Sequence, residues 1–300
     1  MPANAVGASV QRSNSTDAFF RAWCVFIRDG FTDGGWIQTA DTGQMNFTTV
    51  TRPLLANTLQ GYALFRMDDA LQGTAPIVVK VSFGSGSAAN DPRVDVQIGT
   101  GSNGTGSITG SLITDTVRTS GSATTEVVNS YSSGSTSHIV FGMFIVAGAG
   151  SLHMGFSIER GATTAGADTG DYVVYVTTGT NQILRNISYL GSTTQSDTAL
   201  TTVLTSAAAV AGATTNALRG QDIGFGLIMP TVAATATVDR RPTNPIRTFI
   251  LIQSAGIVTE AQVTLYVYGA PRVYRRLANV GCSVGNNTNT VFANPWMLFE

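Results

Sequence analysis

The sequence predicts a mainly β fold, an antiparallel β-sandwich, single or double, with one N-terminal helix. Alternation is the first observation behind it. Across residues 76–83, Ile77, Val79, Val81 and Phe83 share one face, while Val78, Lys80 and Ser82 share the other. Residues 93–98 repeat the pattern, with Val94, Val96 and Ile98 opposite Arg93, Asp95 and Gln97, which are expected to face solvent. The connector between them is Gly-, Ser- and Asn-rich and too short for a crossover helix, so the two strands pair as a hairpin. The second observation is composition. Hydrophobic residues make up 43% of the 300 residues but charged ones only 12%, half of the roughly 25% usual for globular chains. With one lysine, Lys80, and four glutamates, the residues that clothe exposed helix faces are missing. The third is a long succession of short strand-like runs separated by glycine-rich turns.

In chain order, residues 1–15 are small and polar and read as a flexible or partner-ordered tail. Ser15, Thr16 and Asp17 offer N-caps to a helix in which Phe19, Trp23, Phe26 and Ile27 recur at helical spacing, and Gly30 reads as its stop. Ala18, Phe20, Ala22, Cys24 and Val25 make nearly the whole circumference apolar. Burial on several sides follows, in the chain's own core or against a neighbouring subunit. Residues 34–47 read as two short strands about a turn at Asp41–Gly43, and 53–59 as a single helical turn. Further strands are expected at 117–120, 126–130, 138–146, 151–159, 171–177, 182–189, 223–229, 246–253, 258–268 and 273–275. Residues 200–213 suit a strand then a loop, and the apolar tail 291–299 belongs in a sheet. The organisation expected is an N-terminal tail, helix and short strands over 1–60, for attachment or oligomer contact, followed by a β-rich body over 61–300, as one sandwich or two packed ones.

The residue patterns that resemble chemical motifs are weak. Gly99–Gly104 spells GxGxxG after a strand, but no helix N-terminus follows to receive a pyrophosphate. Gly281–Gly285 spells GxSxG around Ser283 without a following helix or a later histidine. His138 and His153 flank one hairpin without a third ligand, a poor metal set. Asp68 and Asp69, with Asp91 and Asp95 nearby, could serve a glycosidase or bind Ca²⁺, yet adjacent Asp residues more simply cap turns. Cys24 and Cys282 lack any CxxC partner and read as two buried free thiols, one long-range disulfide being the alternative. No cofactor, metal or catalytic residue is expected. The net charge of −1 leaves no footprint for nucleic acid, and no run suits a signal peptide or a membrane span. Candidate contacts between subunits are the helix residues Phe19, Phe20, Trp23 and Phe26 and the basic clusters Arg240, Arg241, Arg272, Arg275 and Arg276.

The succession FRAW (20–23), GGWIQTADTGQ (34–44), GYALFRMDDALQ (61–72), APIVVKVSFGSGS (75–87) and VQIGTGSNGTGSITG (96–110) resembles a group of tailed-bacteriophage virion proteins, over about residues 18–110. The resemblance implies a non-enzymatic structural component of the virion, assembled in the bacterial host cytoplasm, in the tail, baseplate, neck or fibre. It supplies no catalytic residue. A capsid-decorating (cement) protein is the alternative of the same class. A carbohydrate-binding or depolymerising phage module, with Asp68, Asp69, Trp36 and Tyr62 as its surface, is the alternative of another. Expected partners are further copies of the chain, as a trimer or higher ring, and other virion proteins.

Overall fold

The structure is a computed structural model, and it describes residues 5–11, 15–111, 117–120, 127–144, 153–163, 167–178, 181–187, 215–218, 221–227, 247–253, 262–267, 270–276, 282–286 and 289–300. Every strand pairing within them is antiparallel, and the strands form three sheets. The N-terminal sheet runs β2 (Ile37–Gln38), β3 (Leu59–Arg66), β4 (Val78–Ser85), β5 (Pro92–Ser102) and β6 (Ile108–Ser111). Its strand β7 (Val117–Ser120) takes the stretch of β5 that β6 leaves open. The middle sheet runs β1 (Ala5–Gln11), β8 (Val127–Ser135), β9 (His138–Phe144), β10 (His153–Ala162), β11 (Asp168–Thr178) and β12 (Asn181–Ile187). The C-terminal sheet orders β13 (Thr215–Leu218), β14 (Gln221–Leu227), β15 (Phe249–Gln253), β19 (Asn289–Leu298), β17 (Ala270–Arg276) and β16 (Gln262–Val267). Strand β18 (Cys282–Asn286) pairs with β19.

Helix α1 (Asp17–Asp33) begins where the sequence places it: Thr16 is the N-cap, its hydroxyl accepting from the Phe19 amide at 3.1 Å. It ends a turn later than expected. Gly34, not Gly30, closes it, and Gly30 lies in the helix interior, where a Cβ would overlap the ring of Phe141. Its role is close approach rather than termination. Only part of the circumference is covered, since Ala18 and Ala22 face outward. The other side joins one core that takes residues from two sheets. Trp23 meets Phe83 of β4 edge-on, Phe26 meets Phe141 of β9, and Phe31 stacks on Phe65 of β3 at 4.3 Å while lying 5.5 Å from Phe141. Ile77, Val79, Val81, Phe83, Val94, Val96 and Ile98 are all buried there, as the alternation of β4 and β5 requires.

Several sequence expectations are corrected. Residues 5–11 are no loose tail but a strand, pairing with β8 over seven positions and covering its edge. Strand β1 joins the middle sheet, β2 joins β3 and α1 lies in their common core, so residues on both sides of position 60 share sheets and core. Residues 53–59 form bends and a turn about Asn57, which sits at φ 55°, rather than a helical turn. Arg93 and Asp95 are buried, not solvated; two apart on β5, they share a face and neutralise each other in a direct ion pair, which allows that face to be covered. Residues 200–213 lie outside the described residues. Among the described residues, no helix is long and apolar enough to cross a membrane.

Candidate functional site

The polar chemistry concentrates on β10, whose alternation aims successive side chains at opposite faces. Phe156 and Ile158 face the α1 core, and Arg160 follows them toward the N-terminal sheet. There its Nε donates to Asp69 Oδ2 at 2.7 Å and its Nη2 to Asp69 Oδ1 at 3.1 Å and to the Ala75 carbonyl at 2.8 Å. Ser157 and Glu159 point the other way and are buried by the strands at the C-terminal end of the chain. The Glu159 carboxylate accepts the amides of Arg247 and Thr248 at 2.9 and 2.8 Å, and Ser157 accepts the Thr248 hydroxyl at 2.8 Å. Arg247 lies 3.6 Å from Glu159, donates to Asp168 Oδ1 at 2.9 Å and caps the Arg160 carbonyl at 3.0 Å. Two adjacent residues, Glu159 and Arg160, thus grip the sheets on either side of the middle one.

The chain end completes this seam. Glu300 accepts Arg272 Nη1 at 2.7 Å, and its backbone exchanges two hydrogen bonds with Ser133 of β8. The Arg275 guanidinium lies 4.1 Å from the Tyr131 ring centre and 5.0 Å from that of Phe299. A cleft of about 530 Å³ opens here, lined by Ser135, Ser137, His138, Asp168, Arg247, Arg272 and Glu300 among others. Its two arginines and two carboxylates already pair with one another. His138 Nδ1 meets Ser135 Oγ at 2.8 Å; Nε2 is out of reach of solvent and has no hydrogen-bond partner among the described residues. Burial, reinforced by the Arg247 and Arg272 guanidiniums, pushes its imidazole down to about 3.

That depression has a sign in stability. The unfolded chain takes up a proton at His138 below about 6.5, whereas the folded chain refuses it down to about 3, so stability falls as pH drops through this window. The slope is at most about 1.4 kcal/mol per pH unit, reached where the unfolded imidazole is protonated and the folded one is not. Urea midpoints between pH 6.5 and 5, above the ordinary carboxylate range, are expected to decline in the wild type. His138→Asn should flatten that decline; an unchanged slope would show that His138 is not held neutral.

The other candidates separate. His138 and His153 pair with Glu159 and Phe144 at opposite ends of the β9–β10 ladder, roughly 20 Å apart at about 3.4 Å per residue, so they do not meet. Ser283 lies within strand β18, and Gly99–Gly104 runs from the end of β5 into a turn, neither leading into a helix. Asp69 is held by Arg160, Asp68 lies 3.4 Å from Arg66, and Asp91 accepts Ser87 Oγ and the Ala88 amide in a turn. Trp36 is buried with its Nε1 on the Ser135 carbonyl, and the Tyr62 hydroxyl donates to the Thr42 carbonyl. Cys24 is a free, buried thiol, its pKa pushed well up by burial, while the side chain of Cys282 lies outside the described residues.

Of the candidate subunit contacts, Phe20, Trp23 and Phe26 are buried in the chain's own core and Phe19 is half-buried. Their burial is met within the chain and needs no neighbour. Arg272 and Arg275 are engaged within the chain, Arg276 lies on β17 opposite Trp296, and Arg240 and Arg241 lie outside the described residues. Sequence reasoning missed Glu159, Arg160 and Arg247, whose partners stand 88 to 91 residues away. Among the described residues, no three His, Cys, Asp or Glu side chains are grouped so as to hold a metal ion. No protein-family model matches the chain, and neither a curated protein nor a solved structure matches it.

Proposed function

We propose that this chain is a non-enzymatic structural component of a tailed-phage virion, in the tail, baseplate, neck or fibre, working as a homo-oligomer alongside other virion proteins. What carries the proposal is that the motifs behind the resemblance are spent on architecture. In 34–44, Gln44 donates to the Thr39 and Asp41 carbonyls at 2.7 and 3.1 Å and accepts the Leu64 amide at 2.9 Å. Asp41 accepts Ser102 Oγ at 2.7 Å and the Gly106 amide at 3.1 Å, tying that motif to the glycine-rich one at 96–110. Burial, which alone would raise the Asp41 carboxyl, is outweighed by the donors Thr39, Ser102 and Gly106, and its pKa is lowered. Phe20 and Trp23 of the first motif, and Phe65 and Phe83 of the later ones, fill the core. These groups knot loops and pack sheets, the work of a building block.

Quantitative mass spectrometry of purified particles, with immunogold labelling, tests the proposal. The chain is expected in the particle at low copy number, with label at the tail. Lattice-like labelling of the head would favour decoration instead. Absence from the particle, or sugar release by the purified chain, would overturn a structural role.

A further inference from the structure

Among the described residues, the C-terminal strands contribute nothing to the core that α1 shares with the N-terminal and middle sheets. They bury side chains of their own, among them Phe249, Tyr274, Met297 and Leu298. What joins them to the middle sheet is mostly polar. The Glu159 carboxylate holds the Arg247 and Thr248 amides, Ser157 accepts the Thr248 hydroxyl, and Ser133 accepts the Glu300 amide. One aromatic contact joins them, with the Tyr131 and Phe299 rings edge-on at 5.5 Å. A unit with its own apolar interior and a polar seam can part from the rest without opening the main core.

His138 stands in that seam. On the β9–β10 ladder it lies directly opposite Glu159, so the two share the face that meets the C-terminal strands. Ser135 of β8 occupies its Nδ1, and Nε2 is shut from solvent with no hydrogen-bond partner among the described residues. The charged and titratable groups around it are engaged with one another. Glu159 of β10 takes the Arg247 and Thr248 amides, and Arg247, ahead of β15, pairs with Asp168 of β11. Arg272 of β17 pairs with Glu300 at the chain end, and the buried Tyr274 hydroxyl donates to the Arg247 carbonyl. A proton on His138 would set a third cation beside the Arg247 and Arg272 guanidiniums, with no described carboxylate in hydrogen-bonding reach of Nε2. Parting of the seam hydrates the imidazole and removes that conflict. We propose that the C-terminal strands, with Arg247 and Thr248, form an acid-released unit, and that proton uptake at His138 is its trigger. The device belongs to the chain by itself and does not rest on the virion assignment.

Hydrogen exchange on the full-length chain at about pH 6.5 and about pH 5, corrected for the intrinsic rate, tests it; ordinary carboxylates stay mostly ionised over this range. Across residues 247–253 and 297–300, protection should fall by up to about 15-fold, since each opened molecule takes up a proton that the closed one refuses. Protection across α1, β4 and β5 should hold. His138→Asn keeps a polar group beside Ser135 but cannot titrate, and should abolish most of the fall. Labelled-histidine NMR on the wild type is a second reading that needs no variant: the His138 ring should remain neutral at about pH 5 in the closed chain. A fall shared equally by α1 and β4, no fall at all, an unchanged fall in His138→Asn, or a protonated His138 ring in the closed chain would overturn the release.

Discussion

Arg160→Ala is expected to cost about 3–5 kcal/mol of folding stability, the range for removing one partner of a buried ion pair. The guanidinium is fully buried and Asp69 nearly so, and the truncation strands that carboxylate together with the Ala75 carbonyl. Urea unfolding should show the midpoint falling with little change in slope. Removing both charges with Arg160→Met and Asp69→Asn should recover much of the loss, since the uncompensated charge is the costly part. If the double variant is as unstable as the single one, Arg160 acts through its contact with Ala75 and not through charge.

Gly30→Ala carries a prediction of sign. In an exposed helix interior, alanine in place of glycine is worth roughly 0.5–1 kcal/mol of added stability. Here the new methyl would meet the Phe141 ring, whose Cζ would lie at 2.6 Å, with Ser132 Cβ at 3.1 Å. Overpacking of this kind costs about 1–3 kcal/mol, so the net effect should be destabilising. Phe141→Leu in the same chain should relieve part of it, making the two changes non-additive. A stabilised Gly30→Ala variant would mean that the helix does not approach β9 so closely.

Much of the fold was legible because strands announce themselves by period two. The faces of β4 and β5 follow from Val79, Val81, Val94 and Val96, and β7 falls at 117–120 as expected. Thr16 marks the helix start because a capping hydroxyl acts on a backbone amide three residues away. What was illegible depends on partners distant in sequence. Ser157 and Glu159 look like the wet face of a strand, and only Arg247 and Thr248, some ninety residues on, make that face an interior one. Gly30 looks like a helix stop because its other use is set by Phe141, on a strand more than a hundred residues later. Arg272 and Arg275 read as contacts between subunits until Glu300 and the Tyr131 and Phe299 rings close on them.

Helix α1 lies in the interior of the subunit, where it joins the N-terminal and middle sheets in one core. Deleting residues 1–34 tests it most directly, with circular dichroism and light scattering read on the same samples. Loss of Trp23, Phe26, Ile27 and Phe31 opens the shared core, and each large side chain there contributes roughly 1.5–3 kcal/mol. The truncated chain is therefore expected to lose its β signal and cooperative melt, or to aggregate. A truncated chain that keeps its sheet signal and melts cooperatively, changing only its mass, would contradict an interior helix and return it to the surface between subunits.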